Sequence, residues 1–164
     1  MVRTASRDDR WLSVGHGRLV DTPDGRWYMA VHAYESGYRA LGIEVTPGCA
    51  SGLLLFYNPE HATGILLDDA GIGVRIANGY VPSRAHQGAT RAQFRLVNDR
   101  QEIDFYYRVP GDAWRRAEGS AEIAGMDHNV LGGFLDVRPA VFAAGSGHAT
   151  FRNFRYWREV KSPV

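Results

Sequence analysis

The stretch GLLLFYN, residues 52–58, is a nearly continuous apolar run bounded by a glycine and by an Asn-Pro pair. A run of this length between turn-forming residues is typical of a strand that is buried on both faces. Two further apolar segments, 63–67 and 73–77, flank the turn sequence DDAG at residues 68–71, which predicts a β-hairpin. This part of the chain therefore predicts a β-sheet rather than a helical fold.

The same pattern continues through the rest of the chain, where short apolar segments alternate with turn-forming residues at a spacing of about ten residues. No window of about 11 residues keeps the i, i+3, i+4, i+7 apolar pattern of an amphipathic helix. Such spacing predicts an all-β fold, an antiparallel two-sheet β-sandwich with at most a turn or two of helix. The other predicted strands are residues 17–21, 26–34, 38–45, 93–98, 102–109, 130–137 and 149–157.

The first two of these segments predict an N-terminal hairpin around the turn sequence Thr22-Pro23-Asp24-Gly25. The second arm is apolar on both faces, which predicts a central strand. Leaving it in solvent would expose large apolar side chains that each stabilise by about 1.5–3 kcal/mol when buried. We therefore expect the segment 17–45 to be an integral part of the sandwich.

The composition indicates one globular domain with no strong charge bias. The chain has 164 residues, of which 45% are hydrophobic, and its 19 basic and 18 acidic residues leave a formal charge of +1. This balance gives no reason to expect nucleic acid or an anionic membrane as a partner. The scattered arginines are typical of solvent-exposed faces of a sheet. We expect a flexible N-terminus at residues 1–10, one domain at 11–158 and a tail at 159–164. No leader or transmembrane segment is visible, so a cytoplasmic location is expected.

Metal and cofactor chemistry finds little support in the sequence. Cys49 is the single cysteine, so neither an intrachain disulfide nor a cysteine zinc site is expected. The six histidines are not paired at metal-ligand spacing, and the Gly15-His16-Gly17 stretch lacks the following helix that a phosphate cradle uses. We therefore predict no metal and no cofactor.

Two stretches resemble glycoside hydrolase family 43, the β-xylosidases and α-arabinofuranosidases. Residues 15–42, GHGRLVDTPDGRWYMAVHAYESGYRALG, resemble a late piece of that family's catalytic propeller. Residues 49–157 resemble its C-terminal concanavalin A-like sandwich, through SGLLLFYN, the Phe105-Tyr106-Tyr107 strand and DHNVLGGFLDVRPAVFAAGSGHATFRNFRYW. The resemblance implies a concanavalin A-like jelly roll at 49–158, preceded at 11–45 by a hairpin derived from a propeller-like segment.

The resemblance also implies which functional residues to expect. The long segment that separates the two pieces in the family is missing here, and no residue matches the general base, the general acid or the orienting carboxylate, so no catalytic residue is predicted. His16 matches a histidine near the propeller's axis, and Phe134, in the GGF sequence, matches a phenylalanine at the mouth of the active site. Both are predicted substrate-binding residues, with an ordinary turn residue for His16 and core packing for Phe134 as the alternatives.

Three functions remain open at this point. The first is an accessory or binding β-sandwich for xylose- or arabinose-containing plant-cell-wall oligosaccharides. The second is a fragment of a β-xylosidase or α-arabinofuranosidase, or one part of a split enzyme, that hydrolyses O-glycosyl bonds. The third is a structural β-domain that self-associates and has no ligand. The two hypotheses that involve carbohydrates rest on the family resemblance, because fold alone does not determine function.

Overall fold

The computed structural model describes residues 15–21, 27–32, 37–76, 79–81, 84–99, 101–133 and 137–157. These residues form twelve strands and one single-turn helix. The helix begins at residue 128, after ten of the strands. The strands are β1 (Gly15–Asp21), β2 (Trp27–His32), β3 (Gly37–Val45), β4 (Cys49–Phe56), β5 (Ala62–Asp68), β6 (Gly71–Ile76), β7 (Gly79–Tyr80), β8 (Arg91–Asp99), β9 (Glu102–Arg108), β10 (Arg115–Glu122), β11 (Arg138–Gly145) and β12 (Ala149–Trp157), and the helix is α1 (His128–Leu131).

The strands are arranged in two antiparallel sheets. The larger has seven strands in the order β1-β2-β11-β4-β5-β6-β7, and the smaller has five strands in the order β10-β9-β8-β3-β12. Every ladder between named strands is antiparallel. This confirms the predicted all-β, antiparallel two-sheet sandwich.

The main core lies between the two sheets. The larger sheet contributes Leu53, Leu55 and Ile65, and the smaller sheet contributes residues of β8 and β9 such as Phe94 and Phe105, all of them buried. In β9, buried residues alternate with half-buried ones, so one face of the smaller sheet meets the core and the other is open to solvent.

The strand β4 is buried along nearly its whole length, as the GLLLFYN sequence predicts. Leu53 and Leu55 face the smaller sheet, while Leu54 joins Leu66 and Phe142 in a second buried apolar cluster on the opposite face of the larger sheet. The two sheets therefore differ in their outer faces, because the larger one is apolar outside and the smaller one is polar outside.

The N-terminal segment is built into both sheets. In β2, Met29 pairs with Val141 of β11, and β3 lies between β8 and β12 in the smaller sheet. The strands of residues 15–45 thus extend the larger sheet and complete the smaller one, as we expected of this segment. The turn predicted at residues 22–25 lies outside the described residues.

The strand predicted at residues 130–137 is wrong. Its first residues belong to α1, and the nearby strand β11 begins only at Arg138. The reason is the N-cap residue Asp127, whose carboxylate accepts hydrogen bonds from the backbone N–H groups of Asn129 (2.7 Å) and Val130 (3.2 Å). These bonds satisfy two donors of the first turn, so the cap overrides the strand preference of an apolar pair.

Candidate functional site

Four strands of the smaller sheet each place one residue in a single row on its outer face. Arg108 of β9 lies opposite Gln93 of β8, Gln93 opposite Gly42 of β3, and Gly42 opposite Arg152 of β12. The row faces away from the core, because the residues that alternate with it along the strands, Ile43, Ala92 and Tyr107, are buried.

An open groove of about 780 Å³ lies over this row. Gly42 is one of its lining residues and has no side chain, so the backbone of β3 is open to the groove between Gln93 and Arg152. The loop that follows β9, residues 109–112, forms one end of the groove, and Arg152 and Asn153 form the other. The volume lies within the range of small-molecule binding clefts.

The β12 end of the groove is shaped by a backbone irregularity. The register between β12 and β3 shifts between Arg152 and Arg155, and Asn153 within this bulge has a φ angle of 55°. Asparagine is among the few non-glycine residues that accept this left-handed conformation. Bulges commonly redirect side chains next to binding sites, and here the bulge adds an exposed polar residue to the groove.

The charged residues of the groove are only partly paired with each other. Arg91 donates a hydrogen bond to the Glu44 carboxylate at 2.7 Å, and Asp112 lies 3.8 Å from both Arg115 and His86. The Arg108 Nε donates to the Gln93 side-chain oxygen at 2.6 Å, which is a neutral acceptor. Both carboxylates of the groove are therefore in contact with cationic or ionisable side chains.

Trp114 holds two arginines next to the groove. The guanidinium carbon of Arg95 lies 4.3 Å from the Trp114 ring centroid, and that of Arg108 lies 4.9 Å from it. Contacts of this kind stabilise by about 0.5–1 kcal/mol at exposed sites. Trp114 thereby limits the freedom of Arg108, so the position of a groove side chain depends on this indole.

A second ion pair lies one rung further along the same face. Arg116 of β10 lies opposite Tyr106 of β9 and bonds Asp104 at 2.5 Å. The hydrogen bond with Asp104, together with its negative charge, raises the pKa of Arg116 above its ordinary value. The charge of Arg116 is thus compensated by a neighbour, as is that of Arg91, which distinguishes both from Arg108 and Arg152.

The groove can act as a hydrogen-bonding surface for a polar ligand. The planar side chains of Arg108, Gln93 and Asn153 offer several hydrogen-bond donors and acceptors to a ligand in the groove. The floor at Gly42 gives a flat ligand room to approach the backbone. This arrangement suits the recognition of a polar ligand through hydrogen bonds.

His16, one of the two predicted site residues, is not among the described residues that line this groove. His16 lies in β1, the edge strand of the larger sheet, at a register irregularity between Gly15 and Arg18. Phe134 lies outside the described residues; just before it, the Gly132 carbonyl accepts a hydrogen bond from the Tyr57 hydroxyl. Substrate binding by His16 and by Phe134 stays a prediction.

Other reactive groups give no second site within the described part of the chain. Among those residues, no group of three or more His, Cys, Asp or Glu side chains could hold a metal ion. Cys49 is only 2% exposed, and its burial raises the pKa of the thiol. No helix in the described segments has the length and apolar character needed to cross a membrane.

The residues of the groove were not singled out by the sequence. Residues 42, 93, 108 and 152 lie on four separate strands, and only the strand order brings them together. In β8 and β9, polar residues alternate with apolar ones in the sequence. This pattern predicts a face that points to solvent, but it does not indicate a ligand.

No family model matches this chain, and no curated protein matches it. Among solved structures, a mutant of the GH43 protein BlXynB from Bacillus licheniformis is similar, with a TM-score of 0.65 and 16% identity over 82% of this chain and 33% of that one. An engineered GH43 glycoside hydrolase with endo-xylanase and exo-arabinofuranosidase activity has a TM-score of 0.50 and 13% identity, over 87% of this chain and 36% of that one.

A functionally unknown protein from Saccharomyces cerevisiae is also similar, with a TM-score of 0.52 and 11% identity over 88% of this chain and 97% of that one. The chain thus spans about a third of the length of both GH43 proteins. At these identities the similarity is one of fold. The comparisons show that this chain has a β-sandwich fold that also occurs as part of much longer GH43 proteins.

Proposed function

We propose that this chain is a carbohydrate-binding accessory β-sandwich of the concanavalin A-like type, related to the sandwich of family 43 glycoside hydrolases. The observation that carries the proposal is the row of Arg108, Gln93, Gly42 and Arg152 beneath an open groove. Sugars present many hydroxyl groups on a fairly flat ring, and planar amide and guanidinium groups over a glycine floor provide complementary donors and acceptors.

Binding is favoured over hydrolysis by the state of the two carboxylates in the groove. A glycosidase needs one carboxyl group as an acid and another as a base or nucleophile, placed on either side of the scissile bond. Here Glu44 forms an ion pair with Arg91, and Asp112 faces Arg115 and His86. The two carboxylates of the groove therefore act to position neighbouring side chains, and we do not assign them as an acid and base pair. We propose xylose- and arabinose-containing oligosaccharides as the first ligands to test.

The test is calorimetric titration of the full chain with xylotetraose and with an arabino-oligosaccharide of equal length. We expect dissociation constants in the micromolar to millimolar range, which correspond to about 4–8 kcal/mol of binding free energy. Gln93→Ala should weaken binding at least fivefold while leaving the melting temperature within a few degrees of the wild type. Gln87→Ala, an exposed glutamine outside the groove, is the matched control.

Two results would reject this proposal. One is the absence of measurable binding to every oligosaccharide tested, which would favour a structural domain. The other is equal affinity of Gln93→Ala and wild type, which would move the ligand away from the groove. Turnover of an aryl xyloside, abolished by Glu44→Gln or Asp112→Asn, would instead support the glycosidase alternative.

A further inference from the structure

We infer that the groove selects acidic glycans, with a sugar carboxylate bound by Arg108 and Arg152. This inference rests on the proposed function and concerns the chemical class of the ligand. It begins from the charges that line the groove: Arg91, Arg108 and Arg152 against Glu44 and Asp112. Arg91 and Glu44 neutralise each other at 2.7 Å, and Asp112 lies 3.8 Å from both Arg115 and His86, so the other two arginines determine the character of the site.

Neither of these two arginines has a carboxylate partner within the described segments. Arg108 contacts the neutral Gln93 side chain and the ring of Trp114, which hold its guanidinium in place without cancelling its charge. Arg152 is exposed, and no ion pair involving it is found among the described residues. Two guanidinium groups thus face an open groove with their charge available to a ligand.

Two arginines without a carboxylate partner line the same groove. The chain as a whole has a formal charge of only +1. Elsewhere in the described structure, Arg116 is paired with Asp104 and Arg84 with Asp68. Arg138 and Arg155 also have no ion pair among the described residues, but neither lines the groove. Arg108 and Arg152 lie at one cleft, and such an arrangement attracts an anionic ligand.

The spacing of the row fits an oligosaccharide. Arg108 and Arg152 are three strands apart, so their backbones are separated by about 14 Å at the usual distance between neighbouring strands. Between them lies Gly42, where there is no side chain to obstruct a ligand. A guanidinium group binds a planar carboxylate through two parallel hydrogen bonds, and such charge-assisted bonds are stronger than bonds to neutral hydroxyl groups.

The test compares matched ligands by calorimetry of the full chain. The ligands are tetragalacturonic acid, the same oligomer with its carboxyl groups reduced to hydroxymethyl groups, and a sulfated form of the reduced oligomer. We expect the acid to bind at least tenfold more tightly than the reduced oligomer at 20 mM NaCl. The preference should shrink at 500 mM NaCl, because salt screens partly exposed charges.

The double variant Arg108→Gln/Arg152→Gln should lose this preference, so that it binds the acid and the reduced oligomer with affinities that agree within about threefold. Arg75→Gln is the matched control, because it removes the same charge from the larger sheet, away from the groove. Melting temperatures of all variants establish that they are folded.

Each other outcome overturns the inference in an identifiable way. Equal binding of the acid and the reduced oligomer would overturn it while leaving the proposed function in place. Tighter binding of the sulfated oligomer than of the acid would show that the site recognises a sulfate ester rather than a carboxylate. A preference for the acid that survives in the double variant would place the carboxylate elsewhere. Failure of all three ligands to bind would reject both the inference and the proposed function.

Discussion

Gly42 lies directly opposite Arg152 across the β3–β12 ladder, and a Cβ atom placed on Gly42 would approach the Arg152 carbonyl oxygen to 3.3 Å. This distance is tight but not prohibitive, and β12 is an edge strand that can adjust by a few tenths of an ångström. A side chain at residue 42 would therefore be tolerated by the sheet, but it would occupy the floor of the groove. A substitution of Gly42 should therefore change ligand affinity without a large change in stability.

We predict that Gly42→Val abolishes oligosaccharide binding with little loss of stability. Valine favours strands, and this offsets the crowding against Arg152, so the free energy of unfolding should change by no more than about 1 kcal/mol. Titration calorimetry and urea unfolding measure the two quantities. Gly125→Val is the control, because a Cβ on Gly125 meets nothing within 4 Å. Retention of full affinity by Gly42→Val would contradict the assignment of the groove.

A second prediction concerns Trp114. The change Trp114→Ala removes the ring that holds Arg108, so the guanidinium becomes more mobile and ligand affinity should fall by about two- to fivefold, the equivalent of one exposed cation–π contact. Trp114→Phe keeps an aromatic face and should recover most of the affinity. If the alanine and phenylalanine variants bind equally well, the ring has no positioning role.

Much of the fold could be predicted because apolar patterning and turn chemistry agree. The buried run in β4 and the Asp-rich turn between β5 and β6 lie where the sequence predicts them. The strand β10 was not predicted, since its sequence RRAEGSAE is polar and only Ala121 is buried in it. It is an edge strand, so its pairing to β9 is determined by the rest of the sheet rather than by its own composition.

The strand β11 was missed for a different reason. Its sequence RPAVFAAG contains a proline, which is unusual in a strand between two neighbours, and several alanines with weak strand preference. The site could be predicted even less well, because a row across four strands exists only once their order is known. In the sequence, nothing distinguishes Arg108 and Arg152 from other solvent-exposed arginines. Only the strand order shows that Gly42 lies between them in one row.

A third prediction tests whether the N-terminal strands are integral to the sandwich. Met29 pairs with Leu19 on one side and with Val141 on the other. Met29→Pro removes a backbone N–H from this ladder, so it should destabilise the fold by about 1–3 kcal/mol or more, whereas Met29→Leu should cost less than about 1.5 kcal/mol. Urea unfolding gives both values. Proteolytic removal of the first 45 residues without loosening the remainder would show that these strands are an appendage.

The last prediction follows from Cys49, whose pKa is raised first by burial and further by the charge of Asp69, with a backbone hydrogen bond at Ala144 acting in the opposite direction. In the unfolded chain the thiol ionises near its ordinary pKa of about 8.5. Below that pH both states hold the proton, so the stabilising contribution is fully present. Above it the unfolded state loses its proton first, and the unfolding free energy falls as the pH rises toward the folded-state pKa.

The measurement is urea unfolding of the wild type and of Cys49→Ala at pH 7 and pH 9.5. We expect the wild type to lose more stability between these two values than the variant, because only the wild type has a thiol to ionise on unfolding. Other titrating groups are common to both proteins and cancel in the comparison. The native thiol should also react slowly with a disulfide reagent at pH 8 and rapidly in urea, since Cys49 is 2% exposed. An equal loss of stability in both proteins, or fast reaction of the native thiol, would contradict the buried, protonated state.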